Sequence, residues 1–372
     1  MSTREPSRHH ARTVLLTGGA GFIGANLVRW LLDNEPDLSV IVLDALTYAG
    51  NVASLADAAR RHGPAGDSRF YFVHGDIGDS AMLELLLAGR GVESSTGRPL
   101  PRPDTLLHLA AESHVDRSIL GPAAFVATNV QGTLALLEAT RTELAREPRA
   151  FRFLDVSTDE VYGSLAAKDP AFTEKHPLQP NSPYSASKAG ADCLVRAYAE
   201  TFSMPCVITR CSNNYGPLQF PEKLIPLMIT RALADQPLPV YGDGGNVRDW
   251  LHVDDHCSAI WAVATRGRVG AVYNIGGDAE RRNIDVVRTI LAALGKPEEL
   301  IRHVPDRLGH DRRYAMDSRM LGTELGWRPS YSFQSGLQQT IEWYVHRRDW
   351  WEPILREEHR GQTDPYAAVS AG

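Results

Sequence analysis

The feature that most constrains the fold lies near the start of the chain, where a strand-like run leads directly into three evenly spaced glycines. The β-branched and leucine residues of Thr13–Thr17 predict a strand, and a helical pattern over 25–32 follows the glycines. The glycines are Gly18, Gly21 and Gly24. This context suits a tight turn whose backbone approaches a pyrophosphate and offers it the N–H groups of a helix N-terminus. The segment therefore predicts a dinucleotide-binding α/β unit.

Strands and helices alternate over the first 215 residues. Further strands are predicted over residues 39–43, 70–77, 105–111 and 206–209 and in the run beginning at Phe153, with helices over 128–144 and 184–202. Such alternation is typical of a parallel sheet that is covered by helices on both faces. The predicted fold class is therefore α/β, a Rossmann-type doubly wound parallel sheet.

The pattern changes after residue 215 and predicts a smaller C-terminal α/β lobe that binds the substrate. Residues 238–241 predict a short strand, whereas residues 273–277 and 306–314 predict loops dense in polar groups. The predicted organisation is a tail over 1–12, an NAD-binding domain with the catalytic residues over 13–215, the lobe over 216–360 and a tail over 361–372. Some lobe segments are expected to return to the first domain.

Two acidic residues end predicted strands, and ligands of open α/β sheets bind at those strand ends. Asp44 follows the last glycine by about twenty residues, where an acid accepts the adenosine ribose hydroxyls and favours NAD over NADP. The alternative is that Asp44 only caps the following turn. Asp76 ends the third strand and is a candidate for the adenine amine. Ala110 and Ala111 are small enough for the middle of the cofactor to pass closely.

A segment beginning at Phe153 carries the candidate chemistry. An apolar run leads into Thr158, and Tyr184 and Lys188 stand four residues apart on one face of a predicted helix. A neighbouring ammonium lowers the pKa of a phenol toward neutrality, so the pair predicts a base for an alcohol proton beside a nicotinamide. Without this context, a tyrosine and a lysine four apart could be a surface coincidence.

Asp159 and Glu160 directly follow Thr158 and exceed what alcohol oxidation requires. Two carboxyl groups at a strand end can take a proton from one carbon and protonate a hydroxyl that leaves the next carbon. Loss of water becomes easy once a neighbouring carbonyl acidifies the C–H bond. The two acids therefore indicate an elimination, unless they cap the following turn or lie in solvent.

Charge and cysteine usage argue against several classes of function. A formal net charge of −6 disfavours a general nucleic-acid binder, and no apolar run is long enough to predict a membrane span. The four cysteines have no metal-like spacing, and no secretory segment is recognisable. We therefore expect reduced thiols in a cytoplasmic protein, no metal site and no nucleic-acid or membrane partner.

Several segments together carry a resemblance to a known family. They lie at residues 17–24, 44–51, 109–118, 157–163, 183–188, 211–217, 220–226, 248–250 and 309–314. With them the chain resembles the dTDP-glucose 4,6-dehydratases of the extended short-chain dehydrogenase/reductase superfamily, over residues 13–350. The run Thr158-Asp159-Glu160 is the most specific part, because the related sugar epimerases resemble the chain elsewhere but lack the two acids.

The resemblance implies a tightly bound NAD that is regenerated in each turnover, dTDP-glucose as substrate and dTDP-4-keto-6-deoxyglucose as product. Tyr184 would deprotonate the C4 hydroxyl while a hydride passes to NAD, and Lys188 would hold the ribose and depress the pKa of Tyr184. Thr158 would bond the C4 oxygen. Glu160 would take the C5 proton, and Asp159 would protonate the leaving C6 hydroxyl.

The resemblance also implies two sets of binding residues. The expected cofactor-binding residues are Gly18, Gly21, Phe22, Ile23, Gly24, Asp44, Leu46, Thr47, Asp76, Ile77, Leu109, Ala110, Ala111, Ser113, Thr128, Tyr184, Lys188 and Asn214. The expected substrate-binding residues are Ser113, Thr158, Asn213, Lys223, Leu224, Pro239, Tyr241, Arg248, Asn283, Asp306, Arg307 and His310. A guanidinium such as that of Arg248 matches diphosphate oxygens in pairs, unless it forms a structural pair with Asp249 or Asp254.

Three other functions remain open at this point. A nucleotide-sugar 4-epimerase needs Tyr184 and Lys188 but no elimination acids, and a decarboxylase of nucleotide-linked uronic acids would want an extra cation. A non-enzymatic NAD-binding regulator should have lost Tyr184, Lys188 or Thr158.

The resemblance further implies a homodimer through helices that begin near Thr128 and Tyr184. The sequence fixes neither the nucleotide nor the pathway, although its Ala- and Arg-rich composition suggests bacterial antibiotic deoxysugars or cell-surface polymers.

Overall fold

The computed structural model describes residues 8–306, 309–358, 360 and 362. Its strands are β1 Thr13–Thr17, β2 Ser39–Asp44, β3 Phe70–His74, β4 Thr105–His108, β5 Arg152–Thr158, β6 Cys206–Cys211, β7 Asn213–Tyr215, β8 Leu238–Tyr241, β9 Val247–His252, β10 Val272–Ile275, β11 Glu280–Arg282 and β12 Ile301–Val304. Most of both predicted tails, together with Arg307, lies outside the described residues.

Thirteen α-helices accompany these strands in the described part of the chain. They are α1 Phe22–Asn34, α2 Ala56–His62, α3 Ser80–Leu87, α4 Val115–Leu120, α5 Pro122–Phe125, α6 Thr133–Arg146, α7 Pro183–Phe202, α8 Leu224–Leu233, α9 Val253–Arg266, α10 Asn283–Ala293, α11 Arg319–Leu325, α12 Phe333–His346 and α13 Arg348–Leu355. A π-helical segment covers Val126–Gly132, and 3-10 turns cover Val52–Leu55, Asp159–Tyr162 and Glu298–Leu300. None of the helices in the described ranges is long and apolar enough to span a bilayer.

Seven parallel strands form the main sheet in the order β10-β6-β5-β4-β1-β2-β3. The apolar stripes of α1 and α9 cover one face of the sheet, and those of α3, α6 and α7 cover the other. Because both faces are buried, β1 and β2 read as nearly continuous apolar runs rather than as an alternation. The predicted doubly wound Rossmann-type sheet is confirmed. The strand order reverses between β1 and β4, which is where such sheets bind ligands.

A smaller lobe lies at the carboxyl ends of these strands. It contains a three-stranded sheet in the order β11-β9-β7, a β12-β8 pair, and the helices α8, α10 and α12. Its core is built from buried aromatic and aliphatic side chains such as Tyr215, Trp250, Ile290 and Tyr344. The end of the chain returns to the first domain, where the Trp350 indole donates to the Ser54 hydroxyl at 3.2 Å.

One sequence prediction of local structure was wrong, and another was confirmed as a helix whose first turns have an unexpected form. Residues 273–277 were expected to form a loop, but β10 pairs in parallel with β6 and completes the main sheet, and Tyr273 and Ile275 are fully buried. The helix expected from Thr128 begins instead as the π-helical segment. Its wider turn accompanies hydrogen bonds from the Asn129 side chain to the Glu112 carbonyl at 3.0 Å and to the Ser187 hydroxyl at 2.9 Å.

Candidate active site

The predicted glycine turn joins β1 to α1 and leaves no space for side chains at two of its three positions. Gly18 has a positive φ of 74°, and a Cβ there would lie 2.7 Å from the Ala110 nitrogen. A Cβ at Gly24 would lie 2.1 Å from the Gly18 carbonyl oxygen. At Gly21 a Cβ would meet only that same oxygen, at 3.4 Å. The backbone of this turn therefore lies at the surface of the site, as close approach to a diphosphate requires.

Asp44 caps the following turn and also lies where the predicted ribose contact would require it. Its carboxylate accepts the backbone N–H of Leu46 at 2.8 Å, which is the turn cap of the simpler interpretation. The second oxygen accepts the Ala20 N–H at 2.8 Å and so ties β2 to the glycine turn. Burial raises the pKa of Asp44, and these backbone donors oppose that rise. Asp44 also lines the cavity, where its oxygens retain lone pairs for ribose hydroxyls.

A single cavity of about 320 Å³ brings most of the predicted site together. Seventeen of the eighteen predicted cofactor-binding residues line it, and the exception is Leu46. The side chain of Leu46 packs instead against the hydrophobic core, from a backbone with a positive φ of 51°. The binding role assigned to every residue of this set stays a prediction.

Four residues to which the sequence assigned no role lie beside Ser113 and Lys223 at the mouth of this cavity: Tyr48, His114, Arg117 and Glu222. The Lys223 ammonium donates to the Ser113 carbonyl at 3.2 Å, and His114 Nε2 lies 3.6 Å from a Glu222 carboxylate oxygen. The Arg117 guanidinium stacks over the Tyr48 ring at 3.9 Å. Tyr48 and Glu222 both line the cavity. No local pattern pairs them, because they come from segments that only the folded chain brings together.

The predicted catalytic residues converge at the end of β5 and the start of α7. The Thr158 hydroxyl accepts the Glu160 N–H at 3.2 Å and donates to Asp159 Oδ1 at 3.2 Å. Tyr184 lies in the first turn of α7, and Lys188 follows one helical turn later. All five side chains line the cavity, and only Glu160 is more than slightly exposed.

The first turn of α7 is held in place by its own cap. The Ser182 hydroxyl accepts the Ser185 N–H and the Ser185 hydroxyl accepts the Ser182 N–H, both at 3.1 Å, and Pro183 occupies the first helical position. This reciprocal cap fixes the backbone on either side of Tyr184. The position of the phenol therefore follows from a local sequence signal.

The carboxyl group of Asp159 is suited to hold a proton. Burial raises its pKa well above the usual value, and the neighbouring carboxylates of Glu160 and Asp249 raise it further. Asp249 itself is almost fully buried and accepts the N–H groups of Gly277 and Ala279 at 3.2 and 2.8 Å. A protonated acid at Asp159 beside the more exposed Glu160 gives the two carboxyl groups different roles.

The expected lowering of the Tyr184 pKa by Lys188 does not occur in this structure. Burial raises the pKa of Tyr184 well above 10, and the carboxylates of Glu160 and Asp159 add to the rise. The Lys188 ammonium lies 3.9 Å from Asp155 Oδ1, and both groups are buried. Spacing on a helix face placed both side chains at the cavity, but burial sets the direction of the Tyr184 pKa.

A buried polar layer lies between β5, β6 and α7, behind the catalytic residues. The Arg210 guanidinium donates to Asp192 at 2.7 Å and to the Tyr162 hydroxyl at 2.8 Å. Tyr162 in turn donates to the Asn274 side chain at 2.8 Å. Burial raises the pKa of Asp192, and the adjacent Arg210 opposes the rise. The layer ties the middle of α7 to the strands β6 and β10 of the sheet.

The predicted substrate residues divide into two groups. Ser113, Thr158, Asn213 and Lys223 line the cavity. The remaining described ones do not line it and lie instead in the lobe: Leu224, Pro239, Tyr241, Arg248, Asn283, Asp306 and His310. Arg307 falls outside the described residues. Their contact with a substrate stays a prediction.

Three of the lobe residues are neighbours. His310 Nδ1 lies 2.6 Å from an Asp306 carboxylate oxygen, and the His310 ring meets Tyr241 edge-on at 6.0 Å between centroids. These contacts join the end of β8 to the loop after β12. The loop that the sequence predicted here is therefore held against a strand end.

Arg248 lies between this group and the catalytic residues. Its guanidinium donates to the Asp311 carbonyl at 2.9 Å and stacks on the Tyr314 ring at 4.4 Å. Of the two acids that could have formed a structural pair with it, Asp254 forms an ion pair with Arg29, and Asp249 accepts backbone N–H groups. Arg248 also counteracts the raised pKa of Asp159, so its charge reaches the catalytic residues.

Comparison with known proteins agrees with this geometry. A family model described as GDP-mannose 4,6 dehydratase matches residues 15–340. A dTDP-glucose 4,6-dehydratase of Xanthomonas campestris is 52% identical over 361 residues, which cover 94% of this chain and 97% of that protein. The dTDP-glucose 4,6-dehydratase of Streptomyces venezuelae, solved with NAD bound, superposes with a TM-score of 0.83 at 48% identity and covers 92% and 99% of the two chains.

An epimerase is more distant. The UDP-glucose 4-epimerase of Thermotoga maritima, solved with UDP-glucose, has a TM-score of 0.77 at 28% identity and covers 90% of this chain and 98% of that one. The epimerase and the dehydratases therefore share the fold, and sequence identity separates them. On its identity to the Xanthomonas protein across nearly the full length of both, the chain belongs to the dTDP-glucose 4,6-dehydratase family.

Proposed function

We propose that the chain converts dTDP-glucose into dTDP-4-keto-6-deoxyglucose by removing water across C5 and C6. The observation that carries the proposal is the position of Asp159 and Glu160, which line the same cavity as Thr158, Tyr184 and Lys188. A 4-epimerase has no use for two such acids. The relatives that match the chain at about half identity carry the same activity in their names.

The cavity fits NAD as the cofactor. The glycine turn leaves a cradle that a Cβ at Gly18 or Gly24 would fill, and the Asp44 carboxylate at its edge suits ribose hydroxyls better than a 2′-phosphate. Ala110 and Ala111 line the middle of the cavity, while Tyr184 and Lys188 line the catalytic end. Bound there, NAD accepts the C4 hydride and returns it to C6. The relatives from Streptomyces venezuelae and Bacillus anthracis were solved with NAD.

Each catalytic side chain has a distinct role in this proposal. Tyr184 takes the C4 hydroxyl proton, and Thr158 holds the oxygen of that hydroxyl. Glu160, which is partly exposed, removes the C5 proton once C4 is a ketone. Burial and the neighbouring carboxylates raise the pKa of Asp159 well above its usual value, which suits Asp159 to donate a proton to the departing C6 hydroxyl.

The substrate's nucleotide is proposed to lie in the lobe. Arg248 is a buried cation between the catalytic residues and the Tyr241–His310 contact, which suits a diphosphate on the way from the sugar to the base. Lys223 at the cavity mouth adds a second cation. Exchange of dTDP- for UDP-, GDP- and CDP-glucose in the same assay measures the preference for the base.

A homodimer is proposed from an exposed apolar face. Ile119, Leu120, Val126 and Leu134 are exposed by 36%, 88%, 47% and 38%, next to a row of small residues on α7. A second copy would bury this face. Light scattering on Leu134→Glu should give a monomer, whereas Leu355→Glu, which alters a 54% exposed residue on α13, should leave the dimer intact.

The cytoplasm is proposed as the compartment, because all four cysteines are free thiols.

Mass spectrometry of dTDP-glucose incubated with the protein in deuterated water tests the proposed reaction. The expected product has lost one water and gained one deuterium at C5, with no net NADH. A product of unchanged mass that is the galactose epimer would contradict the dehydratase and establish the epimerase. No conversion of any nucleoside-diphosphate glucose would establish a binding protein.

A further inference from the structure

The proposed dehydration changes the protonation of two residues of the site, so each must be reset before the next turnover. In each turnover Tyr184 gains the proton of the C4 hydroxyl, and Asp159 loses one to the water that departs. Glu160 removes a proton from C5 and returns one to C5, so it ends as it began. Before the next turnover a proton must therefore leave Tyr184 and another must reach Asp159. This count rests on the proposed function.

Asp159 has little access to solvent for this exchange. Asp159 is only 2% exposed. Its Oδ2 atom is buried and has no hydrogen-bond partner among the described residues. Its other oxygen, Oδ1, accepts a hydrogen bond from the Thr158 hydroxyl at 3.2 Å. The contact that the structure offers for a proton to reach Asp159 is therefore Thr158.

Thr158 faces both residues whose protons must be exchanged. Its hydroxyl donates to Asp159 Oδ1 at 3.2 Å, and it lies close enough to Tyr184 to lower the pKa of that phenol. The Glu160 N–H bonds the same hydroxyl oxygen at 3.2 Å and fixes its position. A hydroxyl can accept a proton on its oxygen while it donates its own hydrogen, so it can pass a proton without being consumed.

We propose that Thr158 is a proton relay that resets the site after each turnover, by giving its hydrogen to the Asp159 carboxylate as it accepts one from the Tyr184 hydroxyl. The O–H bonds of Tyr184 and Thr158 break, and the O–H bonds of Asp159 and Thr158 form. One phenolate and one carboxylic acid result, so both atoms and charge balance. The proton that is taken from the substrate in one turnover then stays on Thr158, and the hydrogen that Thr158 gave to Asp159 departs with water in the next.

Burial favours this internal route over exchange with the solvent. Tyr184, Thr158 and Asp159 are 9%, 8% and 2% exposed, and a change in net charge at such depth is costly. Transfer through Thr158 moves the charge from Asp159 to Tyr184 without changing the total. Ionised Asp159 also raises the pKa of Tyr184, so neutralising Asp159 makes the phenolate easier to form.

The test compares single and multiple turnovers of NAD-loaded enzyme. With enzyme in excess over dTDP-glucose, each site turns over once and needs no reset afterwards, whereas steady-state kcat requires a reset in every cycle. Thr158→Val removes the hydroxyl but keeps the shape of the side chain. We expect kcat of this variant to be about a hundredfold lower than its own single-turnover rate, which is within the range of general acid–base effects. Added imidazole or formate should then restore kcat without changing the single-turnover rate. Thr158→Ser, the matched control, keeps both rates in step.

Two results would overturn the relay. One is a Thr158→Val enzyme in which both rates fall by the same factor and in which small acids do not raise kcat. The other needs no variant: a wild-type kcat that rises with buffer concentration at fixed pH and ionic strength would mean that the proton passes through solvent. A wild-type enzyme that forms no dehydrated product even in a single turnover would contradict the proposed function itself, whatever Thr158 does.

Discussion

Replacing Gly24 with alanine should destabilise the fold, because the added methyl group has nowhere to go. Its Cβ would lie 2.1 Å from the Gly18 carbonyl oxygen, 2.7 Å from the Gly19 Cα and 2.9 Å from the Gly18 carbonyl carbon. All three are backbone atoms, so no side-chain rotation relieves the contact. Overpacking of this kind costs about 1–3 kcal/mol, and rigid backbone neighbours place Gly24→Ala at the upper end of that range. For a chain of 372 residues, a cost near 3 kcal/mol should lower the melting temperature by roughly 4 °C.

Gly21→Ala is the matched control in the same turn. Its Cβ would meet only the Gly18 oxygen, at 3.4 Å, and its φ of −78° is allowed for alanine. The methyl group would point into the cavity, so the variant should keep its melting temperature but lose NAD affinity. Both should be measured by calorimetry after removal of NAD, because bound cofactor adds its own stabilisation. A Gly24→Ala protein that melts within about 1 °C of wild type would refute the steric reasoning.

Three further predictions concern the acids, one histidine and the buried ion pair. Asp159→Asn and Glu160→Gln should each lower kcat about 10²–10⁴-fold. Mass spectrometry should show that only Glu160→Gln abolishes deuterium incorporation at C5. A variant that keeps a tenth of the wild-type activity would refute the role assigned to that residue. Burial lowers the pKa of His256 to about 3, so the fold holds it neutral. Stability is full above pH 6.5 and falls as the pH drops toward 3, by about 2 kcal/mol at pH 5. His256→Phe should therefore melt with a weaker dependence on pH between 7 and 5, and an unchanged slope would contradict this. Asp192→Asn leaves Arg210 buried without its charge partner and should lower the free energy of unfolding in denaturant by about 3–5 kcal/mol. Adding Arg210→Met should recover part of that stability. If it recovers none, the broken ion pair is not the cause of the loss.

Local patterns in the sequence carried the features that depend on neighbours along the chain. The glycine turn follows from spacing between a strand and a helix, and Tyr184 and Lys188 share a helix face because they are four residues apart. The position of Asp44 at the end of β2 was predictable for the same reason. Its second contact, to the Ala20 N–H, was not, because it joins two different turns.

Features that depend on distant segments were not predictable from the sequence. The direction of the Tyr184 pKa is set by burial and by carboxylates, which spacing on a helix does not reveal. Tyr48 and Glu222 meet at the cavity mouth only through the folded lobe. The four-residue strand β10 is too short to show periodicity, and its identity as a strand comes from pairing with β6.

The pairing of β10 with β6 also has a consequence for the protein while it is being synthesised. Residues 212–271 of the chain must leave the ribosome before Val272 can pair with Ile208. Until then β6 presents unpaired N–H and C=O groups at the edge of an otherwise finished sheet, the kind of edge that recruits other strands. A gene fragment that stops at the predicted boundary near residue 215 would keep that edge permanently. The residues before the predicted boundary near 215 therefore do not form a complete unit of folding.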